Sequence, residues 1–172
     1  MNNKGWGLRG RRSIRLGEHA ELIREMELNN TAFASVFTAS VTHSHSADRT
    51  SAQLIMPAIN AGVLVKAPES AIHFRLVGSL GLVPDFVFDD ELMAYAPTEP
   101  ELVGKSVITN GTLMTVNDAA IAGNTIDLQL DLATIPSEVS VVLCLGIEFV
   151  QKIGDVEYLV SQNRALKVVD VF

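Results

Sequence analysis

The segment 139-VSVVLCLGIEFVQKIGDVEYLVS-161 restricts the choice of fold more than any other stretch of this sequence. Val139–Val150 is mostly apolar at both odd and even positions, which is typical of a strand that is buried on both faces in the centre of a sheet. Gly154-Asp155 follows as a two-residue turn, and residues 156–161 have the composition of a second strand. We therefore predict a long antiparallel hairpin whose first strand is central.

Alternating apolar and polar residues predict further strands before and after this hairpin. Ile72, Phe74 and Leu76 are separated by polar residues, so that one face of an extended chain is apolar. The clearest alternation covers residues 126–131, and residues 165–171 form a last apolar segment. Each of these segments predicts a half-buried strand.

Asn110-Gly111 is the strongest short-range turn signal in the chain. It lies between residues 106–109 and 112–116, both of which have strand composition, so it predicts a tight hairpin. From about residue 70 onward, roughly seven strands follow one another with turn residues between them and without helical periodicity. The sequence thus predicts an antiparallel immunoglobulin-like β-sandwich over residues 66–172.

The preceding residues, 17–65, have a different pattern and are predicted to be a helical segment. A helix is expected over residues 17–29, and another over residues 46–56, which Pro57 would end. Residues 31–45 fit either a helix or a strand, and we favour the helix. The expected fold is therefore mainly β with N-terminal helices.

Charge is distributed unevenly between the two ends of the chain. Residues 1–16 contain five basic residues and no acidic one, which gives +5, whereas the other 8 basic and all 20 acidic residues give −12. Residues 1–16 are also rich in glycine and have no apolar periodicity, so they are predicted to be an extended basic arm. The residues expected to mediate its contacts are Lys4, Trp6, Arg9, Arg11, Arg12 and Arg15.

Three roles for the arm are compatible with this charge. It could bind nucleic acid or another polyanion, it could dock on an acidic surface of a neighbouring copy, or it could be a solvated terminus. Trp6 and Leu8 favour docking, because a solvated tail rarely needs an indole. The predicted docking patch is an acidic cluster, whose spacing does not match a calcium-binding EF-hand loop. The patch consists of Asp85, Asp89, Asp90 and Glu91.

Motifs with catalytic or metal-binding chemistry are weak in this sequence. His43 and His45 would share one face of a strand and could bind a metal with Asp48, but on a helix their rings would diverge. The glycines of residues 5–10 match a dinucleotide-binding spacing without the strand that must precede it. Cys144 lies in an apolar segment, where a thiol has a raised pKa and little reactivity. We therefore predict no catalytic, metal-binding or cofactor-binding residue, and no enzymatic activity.

Composition excludes several other classes of protein. With 48% hydrophobic and 19% charged residues, the 172-residue chain can bury a core and is not intrinsically disordered. A single cysteine excludes an internal disulfide framework. The longest apolar stretch, residues 54–65, is too short and too interrupted to span a bilayer, so no membrane partner is expected. A cytoplasmic location, or a place in a virion-like particle, is predicted.

Three stretches, residues 49–57, 72–77 and 146–160, together with the Gly/Arg-rich start, carry a resemblance to known sequences. With them the chain resembles uncharacterised proteins of Bacteroidota, of the type grouped as domains of unknown function. The resemblance implies a small β-rich protein and carries over no activity, cofactor or site residue.

These observations lead to two functional expectations. The first is a non-enzymatic structural or interaction protein that self-associates into a filament, tube or virion-like assembly, alone or with other assembly proteins. In it, the basic arm docks on the acidic patch of a neighbouring subunit. The alternative is a monomeric or dimeric β-sandwich that binds a small ligand or a peptide in its end loops.

Overall fold

The computed structural model describes residues 10–172, and these residues form mainly antiparallel β structure. In this part of the chain, a 3-10 helix, Gly17–Leu22, and a one-turn helix, α1 (Phe33–Val36), precede the first strand. A second one-turn helix, α2 (Ala61–Leu64), and a second 3-10 helix, Pro100–Leu102, lie between strands. The strands are β1 (Thr42–His45), β2 (Ser51–Met56), β3 (His73–Pro84), β4 (Phe86–Asp89), β5 (Ala94–Pro97), β6 (Ser106–Asn110), β7 (Met114–Thr115), β8 (Asn124–Gln129), β9 (Val139–Ile153) and β10 (Val156–Val171).

The described strands make two open sheets and a separate hairpin. The larger sheet has the order β10-β9-β3-β6, with the short β7 also pairing with β3. The smaller sheet has the order β1-β2-β8, and β4 pairs only with β5 among the named strands. Every pairing between these strands is antiparallel.

Strand β9 occupies the centre of the larger sheet, as its apolar sequence predicts. It pairs with β3 from Val139↔Pro84 to Val150↔His73, and with β10 on its other side. Gly154 starts the β9–β10 turn with a φ of 61°, which glycine adopts without steric cost. The predicted central strand and the predicted Gly154-Asp155 turn are both confirmed.

The core lies between the two sheets, which makes the arrangement a β-sandwich. In β3, every second side chain is buried, from Phe74 to Pro84, and this face packs against β2 and β8. The sheets approach closely at Gly78, where a Cβ atom would lie 2.9 Å from Leu54 Cδ1 and 3.0 Å from Leu128 Cδ1. Glycine at this position therefore sets the distance between the sheets.

The hairpin predicted at Asn110-Gly111 is not present. Residues 106–115 instead continue along one edge of β3, with Ser106 opposite Gly81 and Thr115 opposite His73. Gly111 is needed for a close approach rather than for a turn, because a Cβ atom there would lie 3.0 Å from the carbonyl oxygen of Leu76. Backbone pairing with β3 thus overrides the local preference of the Asn-Gly pair.

The helix predicted over residues 46–56 is also wrong, because residues 51–56 form strand β2. Ala52, Leu54 and Met56 are buried on its core face, and all six residues pair with β8. Of residues 31–45, the first part contains the one-turn helix α1 and the last part is strand β1. The burial offered by β8 decides in favour of the strand, and residues 42–56 consequently contribute to the sandwich.

The helix predicted over residues 17–29 is shorter than expected and is of the 3-10 type, ending at Leu22. Glu25 has a φ of 60°, which a helix does not allow. After it, the backbone of residues 25–28 hydrogen-bonds to β10, where the Glu25 amide donates to Val168 and the Leu28 amide donates to Leu166. These bonds to the edge of the larger sheet replace the last helical turns.

Candidate functional site

The described part of the basic arm, residues 10–16, lies against the β4–β5 hairpin of its own chain. Ile14 forms an antiparallel bridge with Phe86 through two backbone hydrogen bonds, of 2.8 Å from the Ile14 amide and 2.9 Å from the Phe86 amide. The arm therefore adds a short strand to the free edge of β4, which is a common way for an extended segment to bind a sheet.

Side chains reinforce this contact near the tip of the hairpin. The Arg11 guanidinium lies 2.5 Å from an Asp90 carboxylate oxygen and 5.2 Å from the centre of the Phe88 ring. The Tyr95 hydroxyl lies 3.0 Å from the backbone carbonyl of Arg12, to which it donates a hydrogen bond. Arg11 and Asp90 are both well exposed, so their ion pair contributes no more than about 1 kcal/mol.

The predicted acidic residues have different roles in this contact. Asp90 pairs with the arm directly. Burial raises the pKa of Asp85, while Arg15 and the Leu16 amide, at the base of the arm, partly oppose that increase. Asp89 accepts hydrogen bonds from the amides of residues 91 and 92 and so shapes the hairpin tip, which also contains Glu91.

The predicted arm residues are distributed over described and undescribed parts of the chain. Arg11 reaches the acidic patch, Arg12 contributes its carbonyl, and Arg15 pairs with Glu18 at 2.9 Å. The remaining predicted positions, Lys4, Trp6 and Arg9, lie outside the described residues. Within the described residues, the structure thus places Arg11 of the arm beside Asp90 of the same chain, whereas the predicted patch belongs to a neighbouring subunit.

Exposed apolar side chains lie on the β4–β5 hairpin and at Ile14 of the arm, and they were not predicted from the sequence. Leu92 and Met93, at the tip of the β4–β5 hairpin, are 68% and 66% exposed, and Ile14 is 50% exposed. The available signal was an apolar pair, Leu92-Met93, directly after three acidic residues in a region too polar for a core strand. We name this surface the arm end; its exposed apolar residues are Ile14, Val87, Leu92, Met93 and Tyr95.

A second exposed apolar surface lies at the opposite end of the larger sheet. Strand β3 leads from Pro84 into β4, whereas the β9–β10 turn lies beyond His73, at the other end of β3. Ile153 and Val156 are opposite each other there and continue the face of the sheet that carries Phe149 in the core. We name the exposed surface around this turn the hairpin end; its apolar residues are Ile153, Val156 and Tyr158 on this face of the sheet and Leu159 on the other.

The histidines considered as metal ligands have other contacts. His43 and His45 do lie on a strand, β1, but the His43 ring faces Asp170 at 3.3 Å and the His45 ring stacks on Phe172 with centroids 3.9 Å apart. Asp48 accepts hydrogen bonds from Ser46 and Thr50, which lower its pKa. Within residues 10–172, no three His, Cys, Asp or Glu side chains come together as a metal site.

Cys144 is buried in β9, as the sequence predicts. Burial raises the pKa of its thiol, and a hydrogen bond with Ser79 only partly opposes this. The thiol is therefore protonated at neutral pH and is a poor nucleophile.

No protein-family model matches this chain, and searches of curated proteins and of solved structures find no significant similarity. The resemblance to uncharacterised proteins of Bacteroidota consequently stays a prediction. None of the helices formed by residues 10–172 is long and apolar enough to span a bilayer.

Proposed function

We propose that this protein is a non-enzymatic structural subunit that self-associates by exchanging its basic arm between copies. In the assembly, the arm of one copy occupies the β4 edge of its neighbour, and Arg11 of the first copy pairs with Asp90 of the second. The observation that carries this proposal is the strand-like docking of Ile14 on Phe86. Every bond in that contact can form equally well between two copies, which is the basis of domain swapping.

The two exposed apolar surfaces support a repeated contact between subunits. They lie at opposite ends of the larger sheet and differ in sequence, so contact between the arm end of one copy and the hairpin end of the next is heterologous. Heterologous contacts produce rings when the rotation closes and filaments when it does not. This geometry favours the filament, tube or shell anticipated from the sequence.

A mixing experiment with two charge-reversal variants tests the exchange. In the Arg11→Glu variant, the new glutamate of the arm repels Asp90. In the Asp90→Arg variant, Arg11 meets a second positive charge. Each variant alone is therefore expected to form smaller species than the unaltered protein. An equal mixture restores attraction between copies, because each arm then finds an opposite charge on the other variant. Light scattering on a sizing column at low salt measures the mass of each sample.

The controls separate exchange from loss of folding. Lys66→Glu changes an exposed charge on another part of the molecule and is expected to leave the mass unchanged. Deletion of residues 2–16 is expected to abolish the assembly. A mixture that behaves as the sum of its two components would contradict exchange, and an unaltered protein that is monomeric at all concentrations would overturn self-association itself.

We further propose that the sandwich is immunoglobulin-like. The support is its strand order, since β1-β2-β8 corresponds to strands A-B-E of such domains and β10-β9-β3-β6 to strands G-F-C-C′. The β4–β5 hairpin is then an insertion between C and C′. Fold alone does not determine function, so this assignment supports no particular partner.

The alternative function, a ligand-binding module, is favoured by one observation. A groove of about 500 Å³ crosses the larger sheet on the face turned away from the core. The groove lies on the sheet rather than in the end loops, where the sequence predicts a ligand.

A further inference from the structure

The outer face of the larger sheet contains a groove with a floor of small side chains. Val77 and Ser79 of β3 and Gly146 of β9 lie at its base, and Ile108 of β6 forms one wall. A Cβ atom at position 146 would lie 3.2 Å from Leu166 Cδ1, so glycine keeps the floor low next to β10. Its volume of about 500 Å³ is within the range of small-molecule sites.

An enlarged β-bulge in β10 forms the opposite wall. Val160 pairs with Phe149 and Ala165 pairs with Ile147, so four residues of β10 lie opposite a single residue of β9. Asn163 within the bulge has a φ of 58°, a left-handed conformation that is uncommon outside glycine. Such bulges often redirect a side chain toward a site, and here Arg164 lies at the groove.

The bulge is fastened to the loop before α1. The Asn29 side-chain amide donates a hydrogen bond of 3.0 Å to the Arg164 carbonyl oxygen. Asn29 and Asn30 line the groove on this side, and Asn110 of β6 lines it on the other. Amide side chains can both donate and accept hydrogen bonds, which suits hydroxyl groups of a ligand.

The charges at the groove leave one cation without a partner. The Glu148 carboxylate is held by Arg75, whose Nε and Nη2 atoms both lie 3.0 Å from the Glu148 Oε2 atom. In contrast, the Arg164 guanidinium makes no ion pair and no hydrogen bond, whereas the other arginines of residues 10–172 all have a partner. A planar guanidinium presents a fork of donors that matches a carboxylate in two parallel hydrogen bonds.

We propose that this groove binds a small polyhydroxylated carboxylate, such as a sugar acid. Arg164 receives the carboxylate, the side-chain amides of Asn29, Asn30 and Asn110 bind the hydroxyl groups, and the C–H face of the ligand lies on Val77 and Ile108. The site does not depend on the arm and is therefore independent of the proposed self-association.

The test uses a matched pair of probes, glucuronate and glucose, which differ by the presence of the carboxylate. Amide shifts of the full chain are followed by NMR during titration with each probe. We expect glucuronate to bind with a dissociation constant of about 1 mM and to shift the amide signals of residues 108–110 and 146. Glucose is expected to bind at least roughly tenfold more weakly, because it lacks the carboxylate. Equal shifts with both probes, or no saturable shift with glucuronate, would overturn the proposal.

Two substitutions assign the binding to the groove. Arg164→Gln is expected to reduce the affinity for glucuronate to about that for glucose, and Asn110→Leu to weaken both probes. Lys152→Gln removes another exposed cation near the hairpin end, outside the groove lining, and is expected to change neither affinity. If Lys152→Gln weakened glucuronate as much as Arg164→Gln does, the binding would be nonspecific charge attraction and the proposed site would be wrong.

Discussion

Arg49 connects the β1–β2 turn to the segment that leads into β9. Its Nη1 atom donates a hydrogen bond of 2.8 Å to the carbonyl oxygen of Val139. Its Nη2 atom is shared between the carbonyl oxygens of Ile135, at 2.8 Å, and Pro136, at 2.7 Å. The residue also has a φ of 62°, which carries a steric cost for any side chain larger than glycine.

We predict that Arg49→Ala lowers the free energy of unfolding by about 3 kcal/mol. A hydrogen bond from a charged donor contributes about 1.5 to 3 kcal/mol to stability. Since two of the three bonds share the Nη2 atom, we count them as one, and two bonds at the low end of that range give about 3 kcal/mol. Arg49→Gly loses the same bonds but relieves the left-handed strain of about 1 kcal/mol, so it is expected to be the less harmful change.

Urea unfolding followed by far-ultraviolet circular dichroism measures both differences, provided that the slope with denaturant is the same in all variants. Lys66→Ala, on an exposed position, is the control and should change stability by less than about 0.5 kcal/mol. The reasoning would be refuted if Arg49→Ala stayed within about 1 kcal/mol of the unaltered protein, or if Arg49→Gly were the more destabilised of the two.

Three further predictions concern the core and its titration. Gly78→Ala should destabilise the protein by about 1 to 3 kcal/mol in urea unfolding because its Cβ atom would meet the opposite sheet, whereas Gly81→Ala in the same strand meets nothing within 4 Å and should be neutral or slightly stabilising. Burial would raise the pKa of Asp170, but the Val171 amide and Arg24 hold it below the ordinary value of 3.8; its stabilisation is therefore complete above pH 3.8 and is lost as the pH falls through the lower folded value. Asp170→Asn should accordingly be destabilising at pH 7 and nearly neutral at strongly acidic pH, as pH-dependent unfolding would show. Cys144 should react with iodoacetamide far more slowly in the native protein than in urea, and equal rates measured by mass spectrometry would contradict its burial.

The strands predicted correctly are those in which the order of apolar and polar residues along the strand shows which face is buried. The alternation of Phe74 and Leu76 with polar neighbours, and the two-sided apolar sequence of β9, state directly which faces are covered. A glycine such as Gly154, followed by aspartate between two strand-like segments, also determines a turn locally. These features depend on neighbouring residues alone, and the sequence therefore contains them.

The errors arise where a distant segment decides the local structure. Leu54-Ile55 was predicted to lie in a helix but belongs to a strand, because its backbone pairs with β8 and Leu54 packs in the core with Leu128. Asn110-Gly111 has the composition of a hairpin turn, yet its backbone continues along β3. In both places, the partner strand is distant in sequence, and no pattern within ten residues specifies it.

The same limit applies to the candidate site. The charge asymmetry, which is visible in composition, predicted that a basic arm docks on an acidic cluster of a neighbouring copy, and the structure has Arg11 beside Asp90 of the same chain. The asymmetry did not indicate that Ile14 would pair with Phe86, because any extended residue can make those backbone bonds. The bulge that places Arg164 at the groove is equally invisible, since it depends on how β10 aligns with β9.

The energetics of the arm contact determine whether it can be exchanged between copies. Two backbone hydrogen bonds, the hydrogen bond from Tyr95 to the Arg12 carbonyl and one exposed ion pair hold residues 10–16 in place. Each contributes only about 0.5 to 1.5 kcal/mol, and the conformational entropy lost in ordering these residues opposes them. Within one chain, the effective concentration of the arm at its docking edge is about millimolar. The arm of a neighbour held at the apolar arm end would have a similar effective concentration at that edge. The proposed exchange therefore requires no new kind of bond at the arm itself. In that proposal, the apolar surfaces at the two ends of the larger sheet would bring the neighbour into place, and the arm would then hold it there.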